Sequence, residues 1–275
     1  MTSRKPGLAA VSRHAHGART WRRYQNYRFA AGDVLAPLVG PEVPKAVAAF
    51  PVGFAQAGET MALVALLGLK AGQNLFVAPD GRWVGGYVPA VFRTYPFRLA
   101  DGGDKGMVLC VVEDESLLSD GTDGERFFEG EEGNTPSRAV QEVLDVLQQV
   151  AGAATTTAAA AALLHKHGLL VPWQMRRPGD ETVYTIGGLF KVDEAAINAL
   201  PPGALVELRD GGALGLAYAQ LLSQHHIATL LTLETAHATA HAQIAAAARE
   251  KVTPNADLNL EFLNDGPSLD FSRLR

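Results

Sequence analysis

Residues 82–97 read RWVGGYVPAVFRTYPF, and the fold turns on whether this stretch is a surface platform or a buried corner. The whole chain of 275 residues has only three Trp, six Tyr and eleven Phe, yet Trp83, Tyr87, Phe92, Tyr95 and Phe97 fall within these positions. Gly85-Gly86 breaks any strand entering from Trp83. Pro89 suits the first turn of a helix, where its missing N–H costs nothing. Pro96 disfavours helix at Tyr95. The spacing therefore predicts a helix of about two turns from Pro89 to Thr94, with Val88 and Phe92 on one face and Val91 and Tyr95 on another. So short a helix is not stable alone and must be held by packing. Phe92 and Phe97 read as inward anchors. Trp83, Tyr87 and Arg93 stay open between a binding surface and a purely structural corner.

Working outward, apolar residues at helical spacing predict a helix over 41–50, ended by Pro51. PVGFA, MALVALLGL and NLFVA read as strands, the middle one buried on both faces. PDGR (79–82) reads as a tight hairpin turn returning through Trp83. After a strand MVLCVV, an acidic loop runs to Asn134. Thr135 is expected to cap a helix with Pro136 at its first position; the pattern continues to His167, with a bend at Gly152 and a stop at Gly168. YTIGGLFKV (184–192) is strand-like, Asp193 opens a helix, and residues 213–249 are helical in two pieces around Gln224 to His226. LNLEFLNDGPSLDF reads as a terminal hairpin. Strands and helices without βαβ alternation predict an α+β fold, with a mixed or antiparallel sheet, one long helix and a helical C-terminal half. The expected organisation is a basic disordered tail over 1–20, a single domain over 21–250 and a C-terminal hairpin or tail over 251–275.

Composition excludes several classes. No apolar run approaches the roughly 18 to 20 residues of a membrane-spanning helix. Arg22-Arg23 is followed by polar YQNYR rather than an apolar export segment, so the cytoplasm is the expected compartment. The single Cys110, inside MVLCVV, reads as a buried structural thiol. Net charge is −5 but uneven: residues 1–28 hold seven bases and no acid, while 113–132 hold nine acids and one base. The runs read first as solvated segments; a second reading lets them attract each other, within one molecule or between two. An acidic body argues against nucleic acid.

Glu234, His237 and His241 share a helical face at i, i+3 and i+7, a weak alternative for a metal site on an alanine-rich helix. HExxH, GxSxG, GxxxxGK[ST] and GxGxxG do not occur. Glu113, Asp114 and Glu115 follow a strand and could supply an acid or base. His165 and His167 in the last turn of the long helix meet its dipole favourably. No cofactor is expected.

FPVGFA, LLGLKAGQNLFVAPDGRWVGGYVPAVFRTYPF, MVLCVVEDESLL, QEVLDVLQQV, HGLLVPWQ and FKVDEAAINALPPGALVELRDGGALGLAYAQLLS occur in this order, and the chain so resembles the SapC family of bacterial proteins over roughly residues 24–230. Trp83, Tyr87, Pro89, Arg93, Tyr95, Pro96 and Trp173 fall on the family pattern. Many relatives carry an acidic or charged residue before YVPA, where this chain has Gly85-Gly86. The resemblance implies an association with surface-layer (S-layer) loci linked to serum resistance, and with genes for outer-membrane uptake receptors, halogenase-like flavoproteins and cupin-like oxygenases. It does not extend to the membrane-spanning peptide-transport permease of the same name. The expected function is a non-enzymatic accessory or binding protein with a protein or peptide partner; the alternative is a metal- or carboxylate-dependent enzyme acting on a peptide or small metabolite. The binding residues it points to are Trp83, Tyr87, Arg93, Tyr95 and Trp173.

Overall fold

A computed structural model of the chain describes residues 7–58, 60–130, 135–176 and 183–251. The fold is α+β, with antiparallel sheets, a long helix and a C-terminal helix. The largest sheet has five strands in the order Leu170–Arg176, Val183–Val192, Val52–Ala57, Thr60–Leu66 and Leu35–Pro37. Thr60–Leu66 lies inside it and is mostly buried along its length, as the unbroken apolar run MALVAL requires. A second sheet sets Met107–Val112 between Leu8–Ala10 and Phe97–Asp101. The two sheets are bridged by the helix Arg138–Lys166. Its N-terminal half supplies Val140, Val143 and Leu147 to a small core around Trp21, Phe97 and Phe127. Its C-terminal half supplies Ala160, Ala161 and Leu164 to the main core around Phe50, Phe54 and Leu66. The helix runs unbroken through Gly152 and stops at Gly168, whose φ of +67° suits a glycine.

Several local expectations are corrected. The tail expected to be disordered is ordered from Leu8: Leu8–Ala10 pairs with Met107–Val112, and Ser12 caps the short helix Arg13–His16. His16 is fully buried against Phe127, with its Nε2 3.2 Å from Glu113 Oε1. Basic head and acidic loop attract each other within one chain: Arg19 pairs with Glu113 at 2.9 Å and Asp120 at 3.2 Å, and Arg22 with Asp123 at 2.9 Å. Arg22–Asp123 is exposed and contributes little; the partly buried Arg19–Glu113 pair and the buried His16 and Trp21 fix the segment.

NLFVA is not a strand, because Asn74 takes over the local backbone. Its side chain donates to the Ala30 carbonyl at 3.0 Å and accepts from the Phe76 N–H at 3.0 Å, leaving a single bridge between Val77 and Trp83. The expected helix over 41–50 is reduced to a 3-10 turn Gly40–Glu42 and the helix Val43–Ala46. The long helix is capped by Ser137 rather than Thr135, since Thr135–Pro136 is used in pairing with Phe128–Glu129. Leu170–Arg176 is an unanticipated edge strand; Pro172 is tolerated there because an edge residue needs no second partner, and a bulge follows it. Val183–Val192 runs through Gly187-Gly188, where Gly188 takes a φ of +75° and the register against Leu170–Arg176 shifts, Thr185 facing Gln174 and Phe190 facing Pro172.

Helices Ala213–Ser223 and Ile227–Lys251 are separated by the 3-10 turn Gln224–His226, where the sequence placed the interruption. Compact units divide at Glu234 and Thr235, inside the last helix. Beyond Lys251, the last residue of the helix, the hairpin or tail expected over 251–275 lies outside the described residues. Among those residues, no helix is long and apolar enough to cross a membrane.

Candidate functional site

The stretch 82–97 is a corner tied to a carboxylate far away in sequence. Its entry is the turn at Asp80-Gly81, where the Arg82 N–H donates to Asp80 Oδ1 at 2.9 Å and Gly81 takes a φ of +93°. Trp83 then folds over the core: its ring lies 5.4 Å from Tyr27, 5.8 Å from both Phe76 and Phe92, and 6.1 Å from Phe50. Its indole N–H donates to the Tyr87 carbonyl at 2.7 Å, closing the glycine loop on itself. Pro89 sits at the cap, one position earlier than expected, and the helix runs Ala90–Arg93.

Glu42 organises the corner. Only 6% exposed, it accepts three hydrogen bonds: Tyr87 hydroxyl to Oε1 at 2.8 Å, Ala90 N–H to Oε1 at 2.7 Å, and Val39 N–H to Oε2 at 3.1 Å. The Ala90 N–H belongs to the first helical residue and has no partner within the helix, so the carboxylate satisfies an otherwise orphaned donor. Tyr87 is locked in turn. Burial raises its phenol pKa first, and the Glu42 carboxylate adds to this, pushing it up to about 12. Arg93 donates to the Tyr87 hydroxyl at 3.2 Å and holds its guanidinium carbon 5.7 Å from the ring centroid. Glu42 escaped the sequence reading. The available signal was its isolation: it is the only acid between Val34 and Ala57.

The structure thus brings Trp83, Tyr87 and Arg93 together and sends the other two expected residues inward. Tyr95 is 8% exposed, stacks on Phe29 at 3.9 Å, and donates to Asp114 Oδ2 at 3.0 Å; the peptide bond to Pro96 is cis. Trp173 is 4% exposed and packs in the main core, where its ring fills the space beside Gly53. Both are core residues whose side chains present little surface to a partner.

The glycine pair resolves into two different requirements. A Cβ at Gly85 would meet Trp83 Nε1 at 2.8 Å and Phe76 Cδ1 at 3.0 Å, whereas one at Gly86 meets nothing within 4 Å. Gly85→Ala is therefore expected to destabilise by about 1 to 2 kcal/mol through overpacking. Gly86→Glu is expected to stay within about 0.5 kcal/mol of the parent, as an open surface position does. Urea melts of the two variants check the pair; equal effects would remove the close approach at Gly85 as the reason for its glycine.

The alternative chemical candidates are committed elsewhere. Partial burial works against ionisation of Glu113, but the hydrogen bonds and charge of Arg19 and His16 outweigh it and hold the carboxyl below its ordinary value. For Asp114 burial is likewise outweighed, by hydrogen bonds from Ser116 and Tyr95. Carboxyls held low are poor proton donors near neutral pH. Glu234 Oε1 lies 2.9 Å from Lys70 Nζ, and the His237 and His241 rings are 6.2 Å apart between centroids. Among the described residues no group of three His, Cys, Asp or Glu side chains is placed to hold a metal ion.

Beside the corner lies an apolar cleft of about 370 Å³. Its walls are residues 37–42, the open end of Thr60–Leu66, Ala90 and Val91 of the motif helix with Thr94, the strand Phe97–Asp101, Met107 and the middle of the long helix. An α+β protein with an aromatic corner pinned by a buried carboxylate, next to an apolar cleft, is the class these features define. The SapC family model matches residues 11–230, and the chain belongs to the SapC family. No curated protein and no solved structure matches it.

Proposed function

We propose that the protein is a non-enzymatic accessory or binding protein, cytoplasmic and linked to bacterial surface-layer or outer-membrane uptake systems. Its protein or peptide partner docks on the face formed by Trp83, Tyr87 and Arg93. The observation that carries this reading is the state of Arg93. It is exposed, yet fixed on Tyr87 by a hydrogen bond and by its position against the ring, and it makes no ion pair among the described residues. A guanidinium already held in place loses less freedom on binding, and arginine and large aromatics are the types in which binding energy concentrates. Val84, 48% exposed, adds apolar surface next to Trp83 in the same loop. The committed carboxylates of Glu42, Glu113 and Asp114 favour this over acid–base catalysis.

The test is affinity purification of the tagged protein from fractionated native cells, with Arg93→Ala as control. The expected result is a near-stoichiometric partner whose recovery falls at least about tenfold in the variant. The melting temperature should stay nearly unchanged, as for an exposed side chain. A large drop in melting temperature assigns Arg93 to the fold; no partner in any fraction refutes the reading.

A further inference from the structure

The cleft beside the motif has a composition of its own. Met61, Leu63, Val91, Leu99, Leu147 and Val150 make it apolar, and its volume of about 370 Å³ falls within the range of small-ligand sites. The polar side chains on its wall are nearly all spoken for. Glu42 already accepts three hydrogen bonds. Thr60 donates to the Ala57 carbonyl, Thr94 to Ala90 and Thr157 to Ala153. Arg98 differs: its backbone pairs with Cys110, but its exposed side chain makes no ion pair or hydrogen bond among the described residues. Met107, also on the wall, leaves 56% of its surface in water. A greasy slot with one uncommitted cation matches one ligand chemistry, an unbranched apolar tail ending in an anion.

We propose that this cleft binds a single-chain fatty carboxylate, its tail between the long helix and Met61–Leu63 and its head group on Arg98. This goes beyond the docking face proposed above and does not depend on it, since Arg93 takes no part in the cleft wall. The tail supplies affinity in proportion to its length, and a charge-assisted hydrogen bond to Arg98 supplies the preference for a carboxylate. Ala151, Ala154 and Ala158 keep the helix side shallow enough to admit it.

Calorimetric titration of the full chain with hexanoate, octanoate, decanoate and dodecanoate, each below its micelle-forming concentration, tests the proposal. Affinity is expected to rise about fourfold per added methylene. Arg98→Gln should weaken dodecanoate about tenfold, the lower end for a charged hydrogen bond because Arg98 is exposed, and leave dodecanol unchanged. Ala154→Phe, at an exposed helical position, should abolish binding of both without changing the melt; Ala151→Leu is the second blocking variant. Absence of saturable dodecanoate binding, no dependence on chain length, or binding that survives both blocking variants would overturn the site. Equal weakening of acid and alcohol by Arg98→Gln would overturn the head-group assignment.

Discussion

Replacing Glu42 by alanine is expected to cost about 3 to 4 kcal/mol of stability and to lower the melting temperature by about 10 °C. The residue has no catalytic geometry; its effect comes from what it leaves behind. Removing the carboxylate strands the Val39 and Ala90 N–H groups and the Tyr87 hydroxyl, all of which it now accepts from. A buried donor without an acceptor costs about 1 to 3 kcal/mol, so two amides and a half-buried phenol reach the stated range. Glu42→Gln gives a sharper comparison. Its carbonyl oxygen can keep Tyr87 and Ala90, but its NH₂ then faces the Val39 N–H, donor against donor. About 1 to 2 kcal/mol is expected for that change. Thermal melts of both variants decide it. A loss below about 1 kcal/mol for Glu42→Ala would mean that packing alone holds the corner. Because Glu42 fixes Tyr87 and Tyr87 carries Arg93, partner recovery should also fall in Glu42→Ala, whereas Arg93→Ala should separate binding from stability.

The elements legible in the sequence are those set by local chemistry. The helix Ala90–Arg93 follows from two prolines bracketing an apolar spacing, and Thr60–Leu66 from an apolar run with no polar face. The break near Gln224 between two helices was visible for the same reason. What stayed hidden depends on distant partners. Glu42 and Tyr87 are 45 positions apart, and nothing near either residue announces the other. Leu8–Ala10 is three residues long and exists as a strand only because Met107–Val112 offers an edge. Asn74 looks like an ordinary polar residue in a strand-like run, but its side chain finds the Ala30 carbonyl and bends the backbone away. The same limit applies to the candidate site. Sequence grouped Trp83, Tyr87, Arg93, Tyr95 and Trp173 without a direction for each side chain, and only packing separates the exposed arginine from the buried Tyr95 and Trp173. The cleft was not visible at all, because its walls come from six stretches between Pro37 and Ala158 that the fold alone brings together.

Whether Trp83 is a platform for a partner or a pillar of the fold is decided by a second substitution. Trp83→Ala is expected to destabilise by about 2 to 3 kcal/mol, the lower end for a tryptophan truncation because the ring is half-buried rather than enclosed. Four aromatic neighbours lose a face of their packing, and the Tyr87 carbonyl loses its donor at 2.7 Å. Trp83→Phe keeps most of the ring area and removes the N–H, so it isolates the hydrogen bond at about 1 kcal/mol. Chemical denaturation of the two variants measures both quantities. A loss below about 1 kcal/mol for Trp83→Ala would make the ring a surface element, to be judged by partner binding alone. The expected result instead gives it two connected roles. The indole holds the loop Gly85-Gly86 closed and so sets the position of Tyr87, on which Arg93 rests. Partner recovery should then fall in Trp83→Ala together with stability, and should fall in part in Trp83→Phe, which keeps the ring on Phe50 and Phe76 but loses the hydrogen bond to the Tyr87 carbonyl.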